Sequence, residues 1–364
     1  MSDGPRTAAR RFCDRFGLQI PILLAPMAGV PAPALSAAVA DAGGLGACGA
    51  LLMTPDAIAA WAADQRRRSN DAFQLNLWIP DPPPHRDMAH EARLRAFLGQ
   101  WGPPVPETAG DAVPPDFAAQ CDALVAAKPR AVSSIMGLYP PGVVERLKAD
   151  GIPWLATVTT VREARAAVAA GADAVVAQGM EAGGHRGAFE AGTAERDQVG
   201  LFALLPAIVD AVPVPVIATG GIADGRGVAA ALLLGASAVQ VGTGFLRCPE
   251  AGVAPAWAAA LQDLAPEDTV LTRAFSGRAG RSLATPYVRA AAEAGAPVPA
   301  AYPVQRGLTA GLRARAQAAD DLAAMQVWAG QSAHLARPEP ARDLAKHLWD
   351  EAESLLGRAT RVAN

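Results

Sequence analysis

The side chain best placed to do chemistry is His185, set in the run Gln178-Gly179-Met180-Glu181-Ala182-Gly183-Gly184-His185-Arg186-Gly187. An imidazole can bind an anion, or hold and move a proton, near neutral pH. Gly183 and Gly184 carry no side chains, so the chain there can lie against a flat ring. Arg186 reads as a surface charge, or as one standing a step back from the site. Two further runs, Ala218-Thr219-Gly220-Gly221-Ile222 and Gln240-Val241-Gly242-Thr243-Gly244, let backbone N–H groups approach a ligand closely. Their neutral character suits a monophosphate held by backbone donors and a helix N-terminus. Asn76 interrupts the apolar run Gln74-Leu75-Asn76-Leu77. A buried polar group without a partner costs about 1–3 kcal/mol, so Asn76 is expected to bond to a ligand in preference to backbone.

What is missing narrows the chemistry. The three lysines, Lys128, Lys148 and Lys346, lie away from the ends of predicted strands, which argues against a Schiff-base aldolase. Of the five histidines only His185 closely follows a predicted strand. Without an HxH pair or strand-end carboxylates, no metal site is expected. No GxSxG elbow is present. So few reactive side chains point to a cofactor that carries the chemistry.

These residues need elements to position them. Eight short apolar runs read as strands: Ile20–Met27, Leu45–Leu51, Phe73–Ile79, Ala131–Gly137, Pro153–Thr159, Ala174–Gly179, Pro215–Gly220 and Ala238–Phe245. Between them Pro33–Asp41, Pro55–Arg68, Gly142–Ala149, Val161–Ala170, Leu201–Ala211 and Gly225–Leu234 read as helices, several closed by glycine. A longer insertion, Asp81–Ala127, separates the third and fourth strands. Continuous apolar strands alternating with helices imply a covered parallel sheet. Eight such units imply an α/β fold of the TIM-barrel type, (β/α)8, with function at the strands' C-terminal ends. Gly44-Leu45-Gly46-Ala47-Cys48-Gly49 matches GxGxxG but lies inside the second strand, so it reads as close strand packing rather than a nucleotide loop. After Arg247 the pattern breaks, and Pro249–Arg337 shows helical stretches (Ala256–Leu264, Pro286–Ala294, Leu308–Ala319) with no convincing strand. The expected organisation is a barrel over 1–248, a smaller helical cap or substrate domain over 249–337, and a C-terminal helix within 338–364 that returns to the barrel.

Composition excludes other classes. The chain has 364 residues, 51% hydrophobic and 18% charged, with net charge −3. It can bury a large core, and it lacks the cationic surplus of a nucleic-acid binder. Four scattered cysteines without a CxxC pair suggest a reducing, cytoplasmic compartment. The N-terminal residues lack the apolar stretch of a secretory signal. Val228–Leu246 is uncharged, but its glycines and polar residues suit a buried helix running into a buried strand better than a membrane span. Nothing in the sequence specifies an oligomeric state.

Taken together, Ala25-Pro26-Met27-Ala28-Gly29, Asn76, QGMEAGGHRG, ATGGI and QVGTGFL resemble the nitronate monooxygenases, formerly called 2-nitropropane dioxygenases. The similarity runs in order through residues 20–250 and continues in Thr272–Leu283, Tyr302–Ala310 and Trp328–Arg337, which look most like the bacterial class I branch. It implies non-covalent FMN. Ala25, Pro26 and Met27 would lie near the isoalloxazine, and Asn76, Gln178 and Gly183 would contact the flavin or its ribityl chain. Gly220, Gly221, Gln240, Val241, Gly242 and Thr243 would hold the phosphate end. His185 would face the substrate, binding an anionic nitronate and in some members taking the α-proton of a neutral nitroalkane. The implied reaction is single-electron oxidation of a nitronate such as propionate 3-nitronate, with O2, to a carbonyl compound and nitrite. Flavin-dependent enoyl-acyl-carrier-protein reductases and NAD(P)H:quinone reductases share the AGGH loop and the glycine phosphate site, and stand as the alternative.

Overall fold

The computed structural model describes residues 4–30 and 32–362. Strands β1 (Ile22–Leu24), β2 (Gly46–Gly49), β3 (Phe73–Trp78), β4 (Ala131–Ile135), β5 (Trp154–Val158) and β6 (Ala174–Gln178) are followed by a two-residue β7 (Gly184–His185). Then come β8 (Val216–Thr219) and β9 (Ala238–Val241). All but β7 form one parallel sheet in the order β1-β9-β8-β6-β5-β4-β3-β2. A parallel bridge between Leu23 and Leu45 joins its two edges, with Leu24 N donating to Leu45 O at 2.8 Å. The sheet is therefore a barrel, its eight strands falling within the eight apolar runs. Their side chains are buried almost throughout because helices cover the outside and side chains fill the inside.

Local signals set the helix limits. Pro33 and Pro55 open helices at positions whose N–H needs no partner, and Thr54 and Asp224 cap the helices that follow them. Gly171 and Gly235 adopt φ of 99° and 100° just beyond two helix ends, a conformation that glycine takes without a Cβ clash. The glycines of 44–49 are packing glycines, as their place in a strand suggests. A Cβ on Gly49 would lie 2.7 Å from Ala28 N, and one on Gly46 would strike Ser36. The uncharged Val228–Leu246 run divides between the helix Gly225–Leu233, β9 and a single 3₁₀ turn at Thr243–Phe245. Among the described residues no helix is long and apolar enough to cross a membrane.

An N-terminal helix, Pro5–Phe16, closes the bottom of the barrel. Phe12 and Phe16 stack at 4.5 Å and pack with Leu18 against Leu23, Leu155, Ile217 and Ala238 from the strands. Truncating Phe16, which is 1% exposed, should cost about 3–5 kcal/mol. Urea unfolding of Phe16→Ala should show this as a lower midpoint; an unchanged midpoint would mean the helix is not part of the core.

The expectation of a strand-free segment over 249–337 is corrected. Strands β10 (Thr269–Thr272) and β11 (Gly280–Leu283) form an antiparallel pair, and β11 pairs in turn with β7. Thr269-Val-Leu-Thr and Gly280-Arg-Ser-Leu are too short and mixed to show a strand period. Their pairing supplies what the pattern lacks. Helices Pro255–Ala260, Pro286–Ala290, Val304–Leu308 and Ala310–Ala318 surround them. The insertion after β3 splits: Phe117–Ala127 covers the barrel, whereas Leu94 and Leu98 of the helix Met88–Leu98 pack with Trp257, Phe275 and Tyr287. The last helix, Ala341–Val362, lays Leu344, Leu348, Ala352 and Leu356 into the same core as the helices Pro33–Asp41 and Gly225–Leu233.

Candidate active site

A cavity of about 470 Å³ opens at the C-terminal ends of the barrel strands, roofed by residues beyond 249. Of the residues singled out in the sequence, Ala25, Pro26, Met27, Asn76, Gln178 and Gly183 line it. So do His185, Gly220, Gly221, Gln240, Gly242 and Thr243. Val241 does not: it is 1% exposed and its side chain belongs to the barrel wall. Strand alternation explains this, since Gln240 and Val241 must face opposite sides.

The floor includes side-chain amides whose orientation is fixed by hydrogen bonds. Gln74 Nε2 donates to Leu24 O and to Gln240 Oε1, both at 3.1 Å, which turns the Gln240 amide group into the cavity. Asn76 Nδ2 donates to Ser133 Oγ at 3.0 Å, so its protein partner is a side chain rather than backbone. Gln178 spends both ends of its amide on the histidine loop, donating to His185 O at 3.1 Å and accepting from Gly187 N at 2.7 Å.

The two glycine loops form a cradle. Gly220 and Gly221 have φ of 108° and 69°, in the left-handed region. Among the described residues the N–H groups of Gly221, Gly242 and Thr243 donate to no protein acceptor. A segment from the roof ties the loops together: Ser332 Oγ donates to Gly221 O at 2.7 Å, and Gly330 N to Thr243 Oγ1 at 3.0 Å. Unspent backbone donors clustered on glycine suit an anion such as phosphate.

His185 stands in an aromatic box. Its ring meets Trp78 at 4.5 Å and Trp328 at 4.7 Å, both edge to face, and Trp78 also touches Tyr302 at 5.3 Å. The β7–β11 pairing, His185 opposite Gly280 and Gly184 opposite Arg281, fixes the loop. Nε2 is 2.7 Å from Ser276 Oγ, and Ser276 Oγ is 3.2 Å from Arg278 O. Nδ1 has no protein partner among the described residues, so it is the nitrogen left for a ligand. Burial, followed by the charges of Arg306 and Arg278, lowers the histidine pKa to about 3. The ring is therefore neutral at any physiological pH.

Arg186 is not a surface charge. It is 4% exposed and donates to Gln178 O at 2.6 Å and Asp197 O at 3.3 Å, fastening the loop to the end of β6. Arg278 likewise anchors the roof, with two bonds to Asp81 at 2.6 and 2.8 Å and one to Ala188 O at 3.0 Å. Sequence reasoning assigned no role to Trp78, Ser276, Tyr302, Arg306 or Trp328. Trp78 was detectable, because Gln74, Asn76 and Trp78 share one face of a strand. The others arrive from about a hundred residues or more away, and only the fold brings them in. Among the described residues no cluster of three or more His, Cys, Asp or Glu is placed to hold a metal ion.

A barrel with unspent backbone donors on glycine loops and a desolvated histidine at its mouth has the features of an enzyme site that could hold an anionic cofactor. Comparison with known proteins makes the class definite. The sequence model of the family described as nitronate monooxygenase matches residues 10–351. The chain is 38% identical to the nitronate monooxygenase of Paraburkholderia phytofirmans, covering 99% of both chains. It is 39% identical to that of Pseudomonas aeruginosa, over 94% of this chain and 98% of the relative. Among solved structures, nitroalkane oxidase from Streptomyces ansochromogenes superposes with a TM-score of 0.87 at 37% identity, covering 96% of this chain and 99% of that one. FabK from Thermotoga maritima gives 0.75 at 29% identity, over 97% and 98%. This chain belongs to the nitronate monooxygenase family and is a flavin-dependent oxidoreductase.

Proposed function

We propose that the protein oxidises alkyl nitronates with FMN and O2, giving a carbonyl compound and nitrite. The observation that carries this reading is the neutral, aromatic-boxed His185 in a cavity that, among the described residues, has no carboxylate in its lining. Such a cavity favours an anion whose charge-bearing carbon is already formed. Gly221, Gly242 and Thr243 would hold the FMN phosphate, Asn76 and Gln240 would meet its polar edges, and Ala25, Pro26 and Met27 would flank the ring. When bound, FMN would supply the redox chemistry, single-electron oxidation of the nitronate with O2 as the final acceptor.

The chain's own groups do the rest. With Nε2 accepting from the Ser276 hydroxyl, Nδ1–H of His185 donates to a nitronate oxygen, while Trp78, Trp328 and Tyr302 keep water from it. When Nε2–H donates to Ser276 Oγ and the serine hydroxyl donates on to Arg278 O, Nδ1 is an acceptor. It can then take an α-proton from a neutral nitroalkane, though with a pKa near 3 it is a weak base for that task. Pre-formed nitronates should therefore be the better substrates.

The test is spectroscopic. Acid should release FMN rather than FAD from the purified yellow protein. Anaerobic mixing with propyl-1-nitronate should bleach the flavin, whereas NADH and NADPH should leave it oxidised. Release of FAD, or rapid bleaching by a pyridine nucleotide with none by nitronate, would overturn the proposal, the latter in favour of a reductase.

A further inference from the structure

Two arginines of the roof enter the cavity without a counter-charge. Arg306 comes from the helix Val304–Leu308 and Arg313 from Ala310–Ala318. Among the described residues the Arg306 guanidinium makes no ion pair and no hydrogen bond. Arg313 reaches only Thr309 Oγ1 at 3.2 Å and Arg306 O at 2.9 Å. Among the described residues no aspartate or glutamate lines the cavity. Other arginines around the loop and roof have partners: Arg278 pairs with Asp81, Arg186 donates to backbone carbonyls, and Arg281 donates to Met180 O and Thr269. A cation withdrawn from water without a partner is unfavourable, and burial lowers the pKa of both arginines, that of Arg313 to about 10. Arg313 keeps its two hydrogen bonds within the roof, whereas the compensation of the Arg306 guanidinium is left to a ligand.

The FMN phosphate does not answer this need, because the glycine loops already offer it unspent N–H donors. Nor does a simple alkyl nitronate, which brings one negative charge to a cavity with two cations. Arg306 follows four residues after Tyr302, which packs on Trp78, the same ring that packs on His185. Its charge is felt at His185 itself. Arg306 thus lies within reach of a short substrate held at His185, with Arg313 bonded to its backbone carbonyl behind it.

Resting on the nitronate reading above, we infer that Arg306, assisted by Arg313, is a specificity determinant that binds a second anionic group, a carboxylate, on the substrate. A planar guanidinium with free donors suits a carboxylate in two-point contact.

The experiment compares propionate 3-nitronate with propyl-1-nitronate, which has the same chain length but no carboxylate, in the parent, Arg306→Met and Arg306→Lys, at matched flavin content. The parent should prefer the carboxylated substrate. Arg306→Met should lose about 10²-fold in kcat/KM on it, mainly through KM. The loss on propyl-1-nitronate should be no more than about threefold, as expected when only the contact to the second anion is removed. Arg306→Lys should recover part of the loss. Succinate, a dianion that cannot be oxidised here, should change tryptophan fluorescence in the parent and bind at least about tenfold more weakly to Arg306→Met. Equal losses on both nitronates, or a parent indifferent to the carboxylate, would overturn the inference while leaving the nitronate reading intact. Failure of both nitronates to bleach the parent flavin would instead refute the nitronate reading, and the inference with it.

Discussion

Gly221→Val should yield a folded protein that has lost most of its affinity for FMN. Gly221 has φ 69°, and its N–H is one of the unspent donors of the cradle. A Cβ there would lie 3.1 Å from Glu181 Cβ, and valine in the left-handed region adds about 1–3 kcal/mol of strain. The loop would relieve both by turning its N–H away from the cavity and loosening the Ser332 bond to Gly221 O. The strain falls on a loop at the cavity edge, so the melting transition should persist. Charge-assisted bonds from backbone N–H to phosphate are strong, and FMN affinity should fall about 10²-fold. Riboflavin, which has no phosphate, separates cause from general damage, since its affinity should fall much less. Fluorescence titration with both flavins checks this. If the variant keeps the parent's preference for FMN over riboflavin, the phosphate is held elsewhere.

His185→Asn should separate two kinds of substrate. Activity on a neutral nitroalkane needs a proton acceptor, and removing a general base typically costs about 10²–10⁴-fold. Asparagine cannot accept that proton at neutral pH. A pre-formed nitronate needs no C–H cleavage, and asparagine can still donate a hydrogen bond, so its loss should appear mostly in KM. Steady-state kinetics on a nitroalkane and its nitronate, with FMN content matched, give the comparison. Equal losses on both would exclude a selective base role.

The same histidine makes a prediction about pH. Its folded pKa, about 3, lies below the ordinary 6.5. Between these values the unfolded chain binds a proton that the folded one does not, so stability contributed by neutral His185 falls as pH drops from 6.5 towards 3. Thermal melts of the parent and His185→Asn should therefore converge or cross as pH is lowered from 7 to 4.5, the parent losing more. Parallel curves would mean that His185 titrates normally in the fold.

Much of this protein was legible in one dimension. The barrel strands are mostly apolar runs, because a sheet covered on both faces has no side turned to water, and Asn76, Gln178 and Gln240 break them only where they line the cavity. The glycine pairs at 220–221 and 183–184 advertise close approach, and His185 is conspicuous among so few titratable residues. The helix Pro5–Phe16 was hidden because its apolar stripe is short and gains its meaning from the strand starts it covers. Strands β10 and β11 were hidden because strand character this brief comes from pairing, and β7 lies nearly a hundred residues away. Arg186 stayed open between a surface charge and one a step back from the site, because sequence does not reveal which carbonyls a guanidinium will meet. Tertiary structure alone placed Ser276 on His185, gave Arg278 its Asp81, and left Arg306 without a partner. A residue's charge is written in the sequence, but its electrostatic role depends on what surrounds it, and those neighbours here come from every part of the chain.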